Sequence, residues 1–434
     1  MKELKGRDLL LIGFTLFSMF FGAGNLIFPP FLGAQAGTAT WPAMAGFALS
    51  AIGFPVLGVV AVARAGGLRE LAGRVSPGFA FVFTLLIYLS IGPGLAIPRT
   101  ASTSFEMAVP PFLGAGQAGL LPVLQLVYSL VFFGAALLLA LRPEKLTDRL
   151  GKILCPCLLL LIVVLFAACV VHPPGWYGPP AAEYAAHAPV QGFVGGYQTM
   201  DTMAALAFGI IIALNIRARG VEGEGGVVRG TVKAGAIAGA LLLAVYSMLS
   251  HVGALSSGAL PGSSNGAEVL TRVVRVLFGP VGSVLLAAIF FIACFNVCVG
   301  LISSCGEFFH SVFPRLSYRA WAVMFAAVSM LIANLGLNLI LQVSVPVLGA
   351  IYPVAIVLIV LSFFQKWIGS DRWTYPVTIA VTAVFSVLLA LVELKVPVPL
   401  VGSLPLAGLG LGWVLPAVAG AAVGIALSKL HART

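Results

Sequence analysis

Charge is what this sequence has least of. Of its 434 residues only 9% are Asp, Glu, Lys or Arg, against roughly a quarter in an average soluble domain. With 60% of the residues hydrophobic, a water-soluble fold would lack the polar surface to cover them, which excludes a soluble enzyme or binding module. Acid is scarcer than base, at 14 Asp and Glu against 24 Lys and Arg. The formal charge of +10 does not imply a nucleic-acid partner, because the basic residues cluster between apolar runs, where membrane topology accounts for them. Histidine is rare too: His172, His187, His251, His310 and His431 fall at loops or run ends. No two acids share an apolar run, so the His, Cys or paired-carboxylate constellation that catalysis needs is missing. The chain is read as a non-enzyme. Its six cysteines, Cys155, Cys157, Cys169, Cys294, Cys298 and Cys305, lie in apolar runs without zinc-type spacing and serve as small packing residues. No cofactor and no obligatory protein partner is indicated.

Uncharged apolar stretches are abundant. A helix needs about 20 such residues to cross the hydrocarbon of a bilayer. A membrane barrel would show alternating segments of about ten, whereas runs such as 153–171 are apolar on every face. Spans are expected near 8–34, 40–63, 77–98, 119–141, 150–171 and 193–215. A second set is expected near 230–254, 280–309, 319–337, 340–364, 374–394 and 405–428. Lys2, Lys5 and Arg7 ahead of the first run superficially resemble a secretory signal. That run is too long and too polar at its centre for one, so it is read as a retained first span.

The positive-inside rule tests this division, since Lys and Arg should fall in alternate loops. Segments 1–7, 64–76, 142–152, 216–233, 310–319, 365–372 and 429–434 hold 20 of the 24. The other side keeps Arg99, Arg272, Arg275 and Lys395. Both termini are therefore assigned to the cytoplasm, in a single transmembrane domain covering 1–434.

In a bilayer every backbone polar group must be satisfied, so a broken helix survives only where it lines a cavity or is buried in protein. The first span carries Gly22-Ala23-Gly24-Asn25 at its middle and Pro29-Pro30 beyond. Two glycines unwind a helix readily, and the Asn25 amide can hold a cation or a ligand. Close helix packing alone would account for the glycines but not for the asparagine and the prolines. The sixth span carries Gly195-Gly196-Tyr197-Gln198-Thr199-Met200-Asp201-Thr202. Asp201 is the one carboxylate expected near mid-membrane, where a charge is costly by about 2.5 to 3.5 kcal/mol on insertion scales. No Lys or Arg is expected at that depth, which leaves a bound cation, a proton or a substrate amino group as its partner. Asp201 with Thr202 also fits the N-cap of a restarting helix. The eighth span offers the hydroxyls of Ser303 and Ser304, oxygen ligands of the kind hard cations take, although membrane serines commonly bond back to their own helix.

Breaks in the first and sixth spans, each followed by four more, describe two inverted five-helix repeats, approximately 8–171 and 193–364, with further helices at 374–428. Substrate and coupling ion are then expected between the broken helices near the midplane. An ion channel is disfavoured, since rings of charge or repeated filter carbonyls are missing.

Four stretches carry a resemblance to a known family: FFGAGNLIFPP at 20–30, IGPGLAIPRTASTSFE at 91–106, GYQTMDTMAALAFG at 196–209 and VGLISSCGEFF at 299–309. Nearly the whole chain resembles the branched-chain amino acid:cation symporters, the bacterial system II carrier proteins. The resemblance implies an all-α polytopic protein of the leucine-transporter type in the bacterial cytoplasmic (inner) membrane. It implies uptake of leucine, isoleucine and valine coupled to Na+, with H+ as the alternative. By similarity, the carbonyls of Ser18 and Phe21 and the hydroxyl of Ser303 or Ser304 hold the sodium. Gly22, Ala23, Gly24 and Asn25, with Thr199, Asp201, Thr202 and Ala205 of the sixth span, cradle the amino acid. Tyr88 is a further candidate for touching substrate, and Arg99 and Glu106 are placed at the outer mouth.

Overall fold

The computed structural model describes residues 4, 6–141, 146–368, 371–399 and 401–431. Among these, every regular element is a helix. The first expected span is two helices, α1 (Gly6–Phe20) and α2 (Ala23–Ala36), separated at Phe21 and Gly22. The second is α3 (Thr40–Ala48) and α4 (Phe54–Ala65), joined by a wide π turn at Leu49–Gly53; the short α5 (Leu68–Gly73) follows. The third is α6 (Pro77–Leu89), a second π turn at Ser90–Gly94, and α7 (Ala96–Ala108). Then come α8 (Leu121–Ala140) and α9 (Leu146–Val171).

The sixth expected span is again divided. α10 (Ala182–Gly195) gives way to a tight turn at Gly196–Thr199, and α11 (Asp201–Ala218) resumes after Met200. The chain continues through α12 (Glu224–Ser257), α13 (Gly266–Val312, kinked at Gly279), α14 (Tyr318–Ala333) and α15 (Leu337–Ile368). It ends with α16 (Asp371–Glu393) and α17 (Val414–His431). Among the described residues eight helical stretches are long and apolar enough to cross a membrane, with three shorter apolar helices beside them. That number is lower than the twelve expected segments because breaks leave short pieces and 23–65 runs on as one stretch.

Several boundaries differ from expectation: α10 begins at Ala182 rather than near 193, and α12 at Glu224 rather than 230. The third segment does not end at residue 98 but continues as α7 to Ala108, because the hydroxyls after Arg99 turn inward. Ser102 donates to the Ala333 carbonyl at 2.9 Å, and Ser104 bonds the Tyr128 hydroxyl at 2.6 Å. The last helix starts at Val414 rather than 405, because Leu406 and Gly410 adopt left-handed backbone that no helix accepts.

The two halves of the first span sit at the centre. α2 packs on α12 and α13, α11 on α4, and α3 on α10. Contact between α2 and α12 is at backbone distance: a Cβ on Gly253 would lie 1.9 Å from the Pro30 carbonyl oxygen, and one on Gly33 would lie 2.0 Å from that of Ser250. Only glycine permits this approach, the usual device of helices in lipid. α16 and α17 pack on each other, α16 also on α15. Outward faces present Leu138, Val281 and Leu331, as a lipid solvent requires. The buried hydroxyls of Thr231, Thr378 and Thr382 bond back to the carbonyl four residues earlier.

Candidate functional site

The break in the first span follows from its sequence. α1 closes with the Phe21 N–H on the Phe17 carbonyl at 2.9 Å. Gly22 is extended, and its N–H donates to Asn25 Oδ1 at 3.0 Å instead of continuing the helix. The Ser18 carbonyl thereby loses the partner it would have had four residues on. The last carbonyls of α1 and the first N–H groups of α2 are the unsatisfied ends that every helix terminus leaves. Pro29 and Pro30, inside α2, have no N–H for the carbonyls of Asn25 and Leu26.

The break in the sixth span faces it. Met200 takes a left-handed conformation at φ 65°, and α11 begins at Asp201. Asp201 is therefore the first residue of the helix and not its cap, and its side chain is engaged elsewhere. Asp201 Oδ2 accepts from Asn25 Nδ2 at 2.7 Å and from the Tyr246 hydroxyl at 2.9 Å, and the Asn25 amide also contacts that hydroxyl. Asn25, Asp201 and Tyr246 are 1%, 2% and 0% exposed. Three helices, α2, α11 and α12, thus meet on one carboxylate oxygen. Hydrogen bonds to a charged acceptor are the stronger kind, each contributing about 1.5 to 3 kcal/mol.

A cavity of about 40 Å³ lies between the two breaks. Its polar lining is Gly22, Ala23, Gly24 and Asn25 from one break, Thr199, Met200 and Asp201 from the other, and Arg99 and Thr100 from α7. Its apolar wall includes Met19, Phe20, Ile91, Phe208, Val297 and Leu301. One water needs about 10 to 15 Å³ on this scale, so the space has room for no more than a few waters. An amino acid enters only if the helices part.

Of the residues expected to cradle a ligand, Gly22, Ala23, Gly24, Asn25, Thr199 and Asp201 line this cavity, and Tyr88, Thr202 and Ala205 do not. The Tyr88 ring stacks on Phe308 with centroids 3.8 Å apart, and its hydroxyl donates to the Ala207 carbonyl at 3.2 Å. Thr202 points to the π turn of the second span, 3.5 Å from the Ser50 carbonyl. Ala205 packs towards Gly58 of α4. Asp201, Ala204 and Phe208, spaced by three and four residues, form the cavity face of α11, and Thr202 and Ala205 lie one residue further round, on the face turned to the second span.

Among the expected cation ligands, Phe21 is buried and Ser18 half-buried at the open end of α1. Ser303 Oγ is buried without a well-formed hydrogen bond. Ser304 follows Leu301 by three residues, which puts it on the helix face that Val297 and Leu301 present to the cavity. Among the described residues no cluster of three or more His, Cys, Asp or Glu could hold a metal.

Arg99 overturns two expectations. Placed at the outer mouth by sequence, it is 3% exposed and lines the cavity. An arginine does lie at the depth of Asp201. It donates from Nη1 to the Gln198 carbonyl in the turn of the sixth span at 2.7 Å, and its guanidinium carbon is 5.5 Å from the centre of the Phe28 ring. Tyr246 was not anticipated at all. A lone tyrosine in LLLAVYSMLS carries no pattern that distinguishes it from an interfacial or packing residue.

Comparison with known proteins agrees over the whole length. Residues 5–431 match the family described as "Branched-chain amino acid transport protein". The branched-chain amino acid transport system 2 carrier protein of Pseudomonas aeruginosa is 44% identical over 421 residues, covering 96% of this chain and 95% of the relative. The branched-chain amino acid permease BraB of Bacillus subtilis is 39% identical over 432 residues, covering 98% and 96%. Among solved structures, Mhp1, a nucleobase-cation-symport-1 family transporter, superposes with a TM-score of 0.64 at 13% identity, covering 97% of this chain and 92% of that one. MhsT in complex with L-phenylalanine superposes at 0.59 and 16% identity, covering 99% of both. At such identities these two likenesses speak for the fold alone, which is of the leucine-transporter type.

Proposed function

The chain belongs to the family of branched-chain amino acid transport proteins, and from that membership we propose that it takes up leucine, isoleucine and valine together with a cation, Na+ ahead of H+. It is an integral membrane transport protein and not an enzyme. The observation that supports a carrier most directly is the meeting of two helix breaks at one small cavity. A zwitterion needs two polar grips, and a branched side chain needs an apolar wall. Both kinds of surface line this space. Helix N-termini at Ala23 and Asp201 favour a carboxylate, while the open carbonyls of α1 favour a cation. The apolar wall separates isoleucine from valine by no more than about 1 to 3 kcal/mol, so a broad branched-chain preference follows.

A neutral substrate gains nothing from the membrane potential by itself. One accompanying positive charge contributes about 2.3 kcal/mol per 100 mV, or roughly fifty-fold accumulation. The Ser18 and Phe21 carbonyls with Ser303 or Ser304 form the sodium site. Binding there orders α1 and α2 against α13 and prepares the cavity; two inverted repeats, 8–171 and 193–364, then rock to alternate access. A proton-coupled reading rests on Asp201, a carboxylate at the break that could carry the proton itself.

Uptake of labelled leucine into proteoliposomes, with sodium and proton gradients imposed separately, tests this. Uptake should follow the sodium gradient and fall at least about tenfold in Ser303→Ala or Ser304→Ala, the loss of one cation ligand. Uptake driven by protons alone, losing its pH dependence in Asp201→Asn, moves the coupling to the carboxylate. No uptake under either gradient rejects this substrate class.

A further inference from the structure

Arg99 is the one basic side chain lining the cavity; the Asp201 carboxylate attracts it across that space, but the donors of the guanidinium are not all met by the protein. A guanidinium offers five N–H donors. One meets the Gln198 carbonyl, and Nε, although buried, has no hydrogen-bond partner. The ion pairs resolved between described residues are Arg219 with Asp8 and Arg272 with Glu268; none involves Arg99. Asp201 lines the same cavity, but its Oδ2 is taken by Asn25 and Tyr246. A buried guanidinium with an unmet donor favours an occupant that brings an acceptor, and a carboxylate is the strongest one.

Resting on the reading of the cavity as an amino-acid site, we propose that Arg99 binds the carboxylate of the transported amino acid and is the residue that makes the carrier specific for it. The guanidinium lies against the first turn of α2: a Cβ on Gly24 would come 2.8 Å from Arg99 Nη2. A carboxylate placed there meets the planar fork of Arg99 on one side. On the other side it meets the N–H groups of Ala23 and Gly24, which no preceding turn satisfies. The α-ammonium then falls to Asp201, whose Oδ1 is not engaged by the Asn25 and Tyr246 donors, both of which are on Oδ2. The two charges of the zwitterion match one cation and one anion on the same small cavity. Gly24 is required for this, since any side chain there displaces the guanidinium.

The test is ligand-induced thermal stabilisation of the purified protein, titrated with leucine, leucinamide and 3-methylbutylamine, for the wild type, Arg99→Lys and Arg99→Gln. In the wild type, leucinamide and the amine, which lack the carboxylate, should bind about 100-fold more weakly than leucine, the worth of a charged bidentate contact. Arg99→Gln should lose about 100-fold in leucine affinity while leucinamide changes little, and Arg99→Lys should fall between. Equal losses for both ligands would show Arg99 to be merely structural and overturn the proposal, as would no loss for leucine. If Arg99→Gln is not recovered folded, the wild-type series and Arg99→Lys decide: leucinamide matching leucine overturns it. A wild type that leucine does not stabilise rejects the amino-acid reading of the cavity, and this proposal with it.

Discussion

Asp201 receives two donors on one oxygen from helices far apart in sequence, Asn25 in α2 and Tyr246 in α12. Its orientation therefore depends on both. Tyr246→Phe keeps the ring and its edge-on contact with Phe47 but removes one hydrogen bond to a charged acceptor. Leucine uptake should fall by roughly 10- to 100-fold, in a protein that still folds but with a lowered thermal unfolding midpoint. An unchanged uptake rate would mean that Asn25 alone orients the carboxylate. Asn25 and Asp201 were legible in the sequence because an amide and a carboxylate stand out in apolar runs. Tyr246 was not, because tyrosine is ordinary in membrane helices. Arg99 was misread for a related reason. The string RTASTSFE has the polarity of an interface, and only the packing of its hydroxyls against α8 and α14 carries it into the protein.

At the scale of elements, the breaks in the first and sixth spans were read from glycine, proline and asparagine, and both occur where expected. What joins them is less visible. The π turns at Leu49–Gly53 and Ser90–Gly94 interrupt neighbouring spans beside the same site, where such wide turns are frequent. The first receives Thr202 at the Ser50 carbonyl. Glycines set the distance between helices: with a Cβ on Gly253 only 1.9 Å from the Pro30 carbonyl oxygen, Gly253→Val forces α12 away from α2. The expected destabilisation is about 1 to 3 kcal/mol or more, read as a lower unfolding midpoint in detergent. Leucine uptake should fall with it, since Tyr246 is on the displaced helix. A variant with wild-type stability would show that α2 and α12 separate freely.

For the whole molecule, the segregation of Lys and Arg predicts an orientation that can be checked directly. Single cysteines at Ser263 and Lys395 should react with a membrane-impermeant thiol reagent on intact cells. Cysteines at Glu70 and Glu222 should react only after permeabilisation, with the unsubstituted chain as background. The opposite pattern would invert the topology and place both termini outside.

Lipid as solvent, helices as the only affordable secondary structure, the breaks and the family were all set by the sequence itself, because composition, hydropathy and local backbone chemistry act over a few residues at a time. The meeting of Asn25, Asp201 and Tyr246, the inward turn of Arg99 and the exclusion of Tyr88, Thr202 and Ala205 from the cavity were decided by tertiary structure alone. Each depends on which face of a helix meets which neighbour, and in a chain apolar on nearly every face the hydrophobic pattern does not encode that choice. Close contacts at glycine and hydrogen bonds between distant helices make it.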